Sequence, residues 1–245
     1  SAATTNLADR VQNSTMRAMA EIGEGLGMGE IGCFCPPSTS VVSGTDPRNN
    51  KPYVNQLFLG HTAGAGAPRE DAWMTMLHAG NGGMCFIDSV ELDEIYTPIH
   101  VQTRRLIADS EGAGRFRGAP GIEVELRPVS CRMEAGFVAD GNIHNPLGAR
   151  GGKAAAKSDQ FRRTPEGELE RLDQCSQVWI EDGEALVSIA CGGGGYGDPK
   201  TRDPARVLSD VREGLVSRNR AINVYGVVVT EMMEIDETGT AALRN

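Results

Sequence analysis

Four consecutive glycines near the end of the chain constrain its folding more than any other stretch. They are Gly192, Gly193, Gly194 and Gly195, and they lie between a predicted strand and a predicted helix. Because glycine has no side chain, the tract can adopt unusual backbone angles and pack closely against other backbone. Amide groups at a strand-to-helix junction could also bind an anion. Ligand contact and close packing are both open, and close packing is favoured.

The residues after the tract argue against a nucleotide phosphate loop. Such loops place Lys and Ser or Thr directly after their glycines, whereas this tract continues with Tyr196, Gly197 and Asp198. The tract also does not follow the first strand of a unit, as the glycines of dinucleotide-binding motifs do. The glycines alone therefore do not predict a nucleotide site.

Composition and charge limit the class of protein. The chain has 40% hydrophobic and 23% charged residues, which is ordinary for a globular protein. Its formal net charge of -9 disfavours nucleic acid or an anionic membrane as the main partner. No apolar run reaches the roughly 20 residues of a membrane span, and no signal peptide opens the chain. We expect a cytoplasmic protein.

Short apolar runs broken by turn residues predict an α+β, β-rich fold with short, mostly antiparallel strands. Helical spacing of apolar residues predicts an N-terminal helix with Thr5 or Asn6 as its cap, and one or two C-terminal helices that begin at Pro204 and after Ser217. We expect a single unit over residues 1–245, with a helix over 5–22, a β-rich body over 41–198 and a helical tail over 203–225.

Two parts of the predicted body contain turn signals. Residues 142–171 are polar and are predicted to form an exposed excursion that ends in a hairpin around Pro165, Glu166 and Gly167. Residues 176–191 are predicted to form a second hairpin that turns at Asp182-Gly183, a dipeptide that accepts tight-turn backbone angles.

Acidic residues between Asp88 and Ile99 are candidate functional groups. On the predicted strand, Glu91 and Asp93 would share one face and Glu94 would lie opposite. Two carboxylates on one face could ligate a hard cation or serve in acid–base catalysis. A solvated edge is the alternative, and the more frequent outcome.

Other reactive residue types show no strong pattern. The histidines, His61, His78, His100 and His144, lie in separate segments without zinc-motif spacing, which disfavours a metal site contained within this chain. The six cysteines include Cys33 and Cys35 but no CxxC pair, so reduced thiols are expected. No GxSxG motif occurs, and Ser1 as an N-terminal nucleophile is a remote alternative.

Two arginines stand among the glycines of residues 109–121. Arg115 and Arg117 are two positions apart, so on an extended segment their side chains would point the same way. Two guanidinium groups could then bind a carboxylate or phosphate together. Ion pairing with the acidic surface is the alternative.

Long stretches of the chain resemble hydantoinase B-type proteins. The stretch "GGGGYGDPKTRDPARVLSDVREGLVSRNRAINVYGVV" is similar to the ending of that family, which includes N-methylhydantoinase and 5-oxoprolinase B parts and large subunits of acetone and acetophenone carboxylases. Further similar stretches, in family order, are "SAATTNLADRV", "TAGAGAPREDAW", "VELDEIYTPIHV", "RRLIADSEGAGRFRGAPGIEVEL" and "NPLGARGG". The resemblance covers nearly the whole chain but only the C-terminal half of a typical member.

The resemblance implies a component of a multi-subunit ATP-dependent cyclic amide hydrolase. A partner with the N-terminal half would supply the ligands of a divalent metal, zinc or manganese, and no metal ligand is assigned to this chain. An A-type partner would bind ATP and Mg and phosphorylate the amide oxygen, before a metal-activated water attacks the carbon. Arg115, Arg117 and the glycine tract would bind substrate or anions, with Glu91 and Glu94 as weaker candidates.

Two alternatives accompany this interpretation. The same family includes ATP-dependent, biotin-independent ketone carboxylases, which would make the chain a carboxylase subunit. In the second alternative, the chain is a non-catalytic scaffold whose glycines only permit tight packing. Bicarbonate dependence of ATP turnover separates the first alternative from the hydrolase.

Overall fold

The computed structural model describes residues 3–32, 36–60, 64–73 and 87–244. These residues contain five α-helices and nine strands. The helices are α1 (Ala3–Ile22), α2 (Val90–Tyr96), α3 (Pro204–Arg212), α4 (Arg218–Asn223) and α5 (Glu237–Arg244). The strands are β1 (Val41–Asp46), β2 (Lys51–Gln56), β3 (Ile99–Leu106), β4 (Ile122–Pro128), β5 (Met133–Val138), β6 (Asp159–Arg163), β7 (Leu169–Arg171), β8 (Cys175–Ile180) and β9 (Ala185–Ala190).

The strands form two sheets in which every pairing is antiparallel. The first sheet has the order β2-β1-β5-β8 and the second the order β3-β4-β9-β6-β7. The predicted α+β class with short antiparallel strands is confirmed. Predicted strands that fall on residues 74–86 lie outside the described residues.

Apolar side chains from both sheets meet in one buried cluster. Alternate residues of β5 point inward, as the twofold repeat of a strand requires. The cluster joins Val42, Met133, Ala135, Phe137 and Ile180 of the first sheet to Ile99, Val124, Leu126 and Leu186 of the second. Burial of this aliphatic surface is the main apolar contribution to the stability of the body.

The turn at Asp182-Gly183 is present, but the predicted hairpin there is wrong. Gly183 has a φ of 94°, and the amide of Glu184 donates to the carbonyl of Glu181 at 3.0 Å. However, β8 pairs with β5 in the first sheet, whereas β9 lies between β4 and β6 in the second. Because β9 is buried almost throughout, it takes a central place, and the turn connects the two sheets.

The segment over residues 142–171 is only partly the exposed excursion that was predicted. Its hairpin is confirmed, because β6 pairs with β7 around a turn in which Gly167 has a φ of 91°. Ala149 and Ala155, however, are only 2% and 3% exposed. Residues 147–153 are drawn inward because they pack against the glycine tract.

The helices near the two ends of the chain agree with those predicted from the sequence, apart from two differences. Asp203 and Ser217 cap α3 and α4 by accepting hydrogen bonds from the amides of Ala205 and Arg220. α1 begins at Ala3, before the predicted cap, and the tail has a third helix, α5, beyond residue 225. α5 is attached by Arg244, whose guanidinium donates to the carbonyl oxygens of Tyr225 and Arg202, a tertiary contact without a local sequence signal.

The glycine tract passes through a set of closely packed segments. A Cβ added to any of its four glycines would overlap a carbonyl oxygen of another segment, belonging in order to Ala119, Gly64, Leu147 and Ala113. The contact is reciprocal, since a Cβ on Gly118 would overlap the carbonyl oxygen of Gly193. The expectation of close packing is therefore confirmed. We call residues 29–30, 64–66, 112–119, 147–153 and 192–197 the glycine core.

Hydrogen bonds between backbones hold the glycine core together. Carbonyl oxygens of the tract accept from amides of three other segments: Gly112 to Gly193 at 2.8 Å, Gly66 to Gly194 at 2.8 Å and Ala149 to Gly195 at 2.9 Å. Buried backbone groups need such partners, because an unpaired one loses its hydrogen bond to water without replacement. Glycine lets these segments approach closely enough for the bonds to form.

We expect Gly194→Ala to destabilise the protein by roughly 3 kcal/mol or more, because the new methyl group displaces the backbone at Leu147. The matched control is Gly136→Ala in β5, where the nearest atom to an added Cβ lies 3.9 Å away. That change is expected to be neutral or slightly stabilising. Urea unfolding of both variants is the measurement, and equal stabilities would contradict the packing described here.

Candidate functional site

Three amide groups of the glycine tract are already used inside the protein. The amides of Gly193–Gly195 donate, in order, to the carbonyl oxygens of Ala119, Glu30 and Lys153 at 3.0, 2.8 and 3.0 Å. An anion could bind to these amides only if it displaced those bonds. Anion binding by the tract stays a prediction, and the geometry favours a structural role for its glycines.

Arg115 and Arg117 occupy different surroundings. Arg115 has a half-exposed side chain that lies over the ring of Phe116 and 3.7 Å from Glu24. The side chain of Arg117 is only 11% exposed, and its Nε donates to Oδ1 of Asp210 at 2.8 Å. The two guanidinium groups therefore do not converge on one carboxylate of this chain. Contact of either with substrate stays a prediction, for which Arg115 is the accessible candidate.

Arg117 belongs to a largely buried cluster of charged side chains. The guanidinium of Arg202 is 1% exposed and donates to both carboxylate oxygens of Asp71, at 2.7 and 2.8 Å. It also donates to Oδ2 of Asp210 at 2.8 Å, while Arg117 binds the other oxygen of that carboxylate. Two arginines thus bind two carboxylates, and a third, Arg206, lies 3.8 Å from Asp71 with a more exposed side chain. We call Asp71, Arg117, Arg202 and Asp210 the charge cluster.

The charge cluster fixes the backbone that carries Arg115. The guanidinium of Arg202 donates to the carbonyl oxygen of Arg115 at 3.2 Å, in addition to its bonds to carboxylates. Burial would raise the pKa of Asp71, but the hydrogen bonds and charge of Arg202 outweigh that effect and hold this pKa below its usual value. Asp71 therefore stays ionised, and the cluster ties residues 64–73 to the start of α3.

Sequence reasoning missed this cluster, although one signal was present. Asp210 lies on the buried face of α3 together with Val207 and Val211. A carboxylate at an apolar helical position needs a buried partner, because an isolated charge is costly to desolvate. That partner, Arg202, lies just before the cap of the same helix.

A second buried carboxylate, Glu111, comes from the stretch that carries the two arginines. Its Oε1 accepts from Nε of Arg220 at 2.8 Å and from the hydroxyl of Tyr225 at 2.9 Å. Burial raises the pKa of Glu111 in spite of these donors. Glu111 thus attaches the glycine-rich stretch to α4 and the following turn. This residue was also absent from the sequence-based candidates.

The predicted strand that carries Glu91 and Glu94 is wrong, because residues 90–96 form helix α2. The Ser89 hydroxyl caps the helix by accepting from the amide of Leu92 at 3.4 Å. Alternation of Val90 and Leu92 with acidic residues imitates a strand pattern, whereas the serine cap and Ile95 fit a helix. The shared face predicted for Glu91 and Asp93 therefore does not exist.

Glu91 and Glu94 make local contacts near the surface. Oε2 of Glu91 lies 2.6 Å from the Ser89 hydroxyl. Oε1 of Glu94 accepts from the amide of Val101 at 2.8 Å and lies 3.0 Å from Nδ1 of His100. These contacts attach α2 to β3. A polar pocket formed by the two glutamates stays a prediction.

Asp93 is the buried carboxylate of this region, at 7% exposure. Oδ1 accepts from the amide nitrogen of Asn55 at 3.2 Å. Burial, reinforced by the charge of Asp88, raises the pKa of Asp93 to about 6. A fraction of this side chain is therefore protonated near neutral pH, which lowers the cost of its burial.

Residues placed to hold the metal that the resemblance implies are not found in the described part of the chain. There, no group of three or more His, Cys, Asp or Glu side chains comes together. His100 and His144 lie in separate places, Cys131 and Cys175 are free thiols, and Cys191 is buried in the apolar cluster of the two sheets. His61, His78, Cys33, Cys35 and Ser1 lie outside the described residues. The described residues therefore do not fit a metal site of their own.

A cavity of about 460 Å³, lined mostly by residues of polar type, opens between α1 and residues 139–144. Arg10 and Ser14 of α1 form one wall, and Ile143 and His144 belong to the other. An ion pair at 3.2 Å between Arg10 and Asp140 crosses it. No sequence motif indicates this cavity, because its two walls are distant in the chain.

No described helix combines the length and the apolar character needed to cross a bilayer.

The fold consists of two antiparallel sheets that pack through one apolar cluster, with the glycine core beside them. The family model for hydantoinase B/oxoprolinase proteins matches residues 1–199. The chain therefore belongs to the hydantoinase B/oxoprolinase family, as the resemblance predicted.

Two relatives indicate which enzymes the chain is similar to. It is 35% identical over 209 residues to caprolactamase subunit beta of Pseudomonas jessenii, a match that covers 83% of this chain and 36% of the relative. It is 28% identical over 194 residues to the acetone carboxylase alpha subunit of Xanthobacter autotrophicus, covering 63% of this chain and 25% of the relative. The chain thus spans about a third of the relatives' length or less.

A solved structure agrees with the first relative. The fold is similar to the crystal structure of ATP-dependent caprolactamase from Pseudomonas jessenii, with a TM-score of 0.68 and 29% identity. That match covers 88% of this chain and 38% of the caprolactamase chain. Sequence and fold therefore point to the same relative.

We expect Arg202→Met to lower the free energy of unfolding by about 3 to 5 kcal/mol, because it leaves Asp71 and Asp210 buried without their main cation. The control is Arg206→Met, since Arg206 is 44% exposed and lies 3.8 Å from Asp71. That variant is expected to lose less than about 1 kcal/mol. Urea unfolding tests both, and a small loss for Arg202→Met would show that the cluster is dispensable.

Proposed function

We propose that the chain is a component of a multi-subunit, ATP-dependent enzyme that hydrolyses cyclic amides, of the hydantoinase, oxoprolinase or lactamase type. The observation that carries the proposal is the similarity to caprolactamase, at 35% identity over 83% of this chain. The similar fold of ATP-dependent caprolactamase supports it. Caprolactam is a cyclic amide, so the substrate class follows from that relative.

The proposal includes partner polypeptides. The chain spans 36% of caprolactamase subunit beta, and we propose that the remaining part of a hydantoinase B-type subunit completes the enzyme. We assign the divalent metal site to that part, since the described residues of this chain do not fit one. We assign ATP and Mg to a hydantoinase A-type subunit. No reaction step is assigned to a metal on this chain.

This chain would supply a rigid framework and a positioned cation. Arg115 projects from the glycine core, and its amide donates to the carbonyl oxygen of Gly197 at 3.2 Å. Its own carbonyl oxygen accepts from the buried Arg202. Fixing the backbone on both sides lowers the entropy lost when the guanidinium binds a ligand. We propose that Arg115 binds a carboxylate or phosphate group near the reaction centre.

A ketone carboxylase is the second candidate function. The acetone carboxylase alpha subunit is 28% identical over 63% of this chain, which supports a shared origin. Hydrolysis is favoured because the caprolactamase match has higher identity and covers more of the chain. The two reactions differ in their second substrate, since water suffices for hydrolysis and carboxylation consumes bicarbonate or carbon dioxide.

The test measures ATP turnover by the native complex that contains this chain. We expect cyclic amides to stimulate ATP hydrolysis and to be opened without added bicarbonate. Stimulation by ketones that requires bicarbonate would instead support the carboxylase. The assay uses lactams and hydantoins against acetone and acetophenone, in buffers with and without bicarbonate.

A matched pair of variants addresses the scaffold alternative in the same assay. Arg115→Met is expected to lower kcat/KM roughly tenfold, as loss of one charged hydrogen bond to a ligand does. Arg132→Met is the control, because Arg132 stacks on Trp179 of β8, in the first sheet. Full activity of Arg115→Met in an intact complex would support the scaffold and reject Arg115 as a binding residue.

A further inference from the structure

Helix α1 packs Met16 and Ala20 against the protein on its inner side and exposes a second group of apolar side chains on its outer side. Leu7, Val11 and Ile22 are 64%, 58% and 78% exposed. At 100° per residue, the three side chains fall within roughly 60° of one another around the helix axis. Apolar side chains that group together on one side of a helix are normally buried. The exposure of these three therefore indicates a surface that another element covers. We call Leu7, Val11 and Ile22 the outer face of α1.

The opposite side of α1 is firmly attached, so the helix cannot rotate to bury its outer face. Asn13 is buried, and its amide group pairs with both the amide and the carbonyl of Ile31, at 3.0 and 3.5 Å. Ala20 is fully buried against Tyr196 of the glycine core. Arg150 donates to the carbonyl oxygen of Ala20 at 3.1 Å. A rotation would break these contacts and leave buried polar groups unpaired.

The cavity between α1 and residues 139–144 lies beside the outer face. Arg10 and Ser14, which line the cavity, occupy the helical positions next to Leu7 and Val11. Ile143, on the other wall, is 73% exposed. The combined surface therefore has an apolar ridge and an adjoining polar recess, a combination that suits a polypeptide with mixed side chains.

We propose that the outer face of α1 and the adjoining cavity bind the part of the hydantoinase B-type subunit that this chain does not contain. The inference rests on the proposed function, which requires that part. The chain spans 36% of caprolactamase subunit beta, so a large neighbouring surface belongs to the complete subunit. An apolar helix face fixed outward on one portion is what such a neighbour would bury.

The charges around this surface favour a polypeptide over a membrane. Asp140 and Glu30 line the cavity, and the chain carries a net charge of -9. Interfacial helices that bind anionic lipid have Lys and Arg along the polar side, whereas this surface carries acids as well. A second copy of the chain is the remaining occupant, and the experiment identifies it separately.

Photo-crosslinking in the assembled native enzyme tests the proposal. Benzoylphenylalanine replaces Val11 or Ile22 in the outer face, and replaces Val54 or Leu169 as exposed controls elsewhere. After irradiation, mass spectrometry identifies the crosslinked peptide. We expect positions 11 and 22 to crosslink to hydantoinase B-type sequence outside these 245 residues, and the controls not to do so.

Other outcomes overturn the proposal in distinct ways. A crosslink to another copy of this chain, to lipid or to nothing rejects the proposed occupant. ATP-dependent amide hydrolysis by the same preparation reports on the proposed function independently. An active enzyme without the expected crosslink would refute only the surface, whereas an inactive preparation with the crosslink would refute the function and leave the surface in place.

A second variant set tests the energetics of the surface. Gln replaces Leu7, Val11 and Ile22 together, a change that keeps helical propensity and removes apolar area. Retention of the neighbouring polypeptide during size-exclusion chromatography is expected to fall roughly tenfold or more. Gln at Val54, Leu169 and Met232 is the matched control and should leave retention unchanged. Equal retention in both sets would overturn the proposal.

Discussion

The packing of backbone against backbone in the glycine core is the constraint on which the rest of the structure depends. Five segments that are distant in sequence meet there without side chains between them, and their amides and carbonyls satisfy one another. Such a core gains little from apolar side chains and relies on close contact and hydrogen bonds. It connects the sheets to the C-terminal helices through Ala113, which packs with Val207 and Val211 of α3.

Three carboxylates, those of Asp71, Asp210 and Glu111, add ion pairs to this framework near Arg115. Asp71 and Asp210 bind Arg202, which in turn donates to the carbonyl oxygen of Arg115. Glu111, four residues before Arg115, binds Arg220 and Tyr225. The segment that carries Arg115 is therefore attached at two points. Preorganised cations of this kind bind anionic groups with small entropic loss. The backbone at Arg115 is therefore held in place, as the proposed binding of an anionic group by its side chain requires.

Local chemistry made much of the fold predictable. Asp203 and Ser217 as helix caps, the turn glycines Gly167 and Gly183, and the short strands of the body all follow from neighbouring residues. Strand partners did not follow, because β8 and β9 are adjacent in sequence and belong to different sheets. The sequence of α2 predicts a strand because its short apolar pattern fits both the two-residue repeat of a strand and the 3.6-residue repeat of a helix. The ion-pair partners of Arg117 and Glu111 lie about a hundred residues away in the sequence. Patterns among neighbouring residues therefore could not predict these pairs.

The glycine tract is an internal structural element, and the amides of Gly193, Gly194 and Gly195 are bonded within this chain. Amide hydrogen exchange, resolved by NMR, measures this directly. The amides of Gly193, Gly194 and Gly195 should exchange only when the whole protein unfolds. The amide of Gly183, an exposed residue in the turn between β8 and β9, has no hydrogen-bond acceptor among the described residues and should exchange quickly. Fast exchange of the tract, slowed by added phosphate, would contradict the account and favour an anion site.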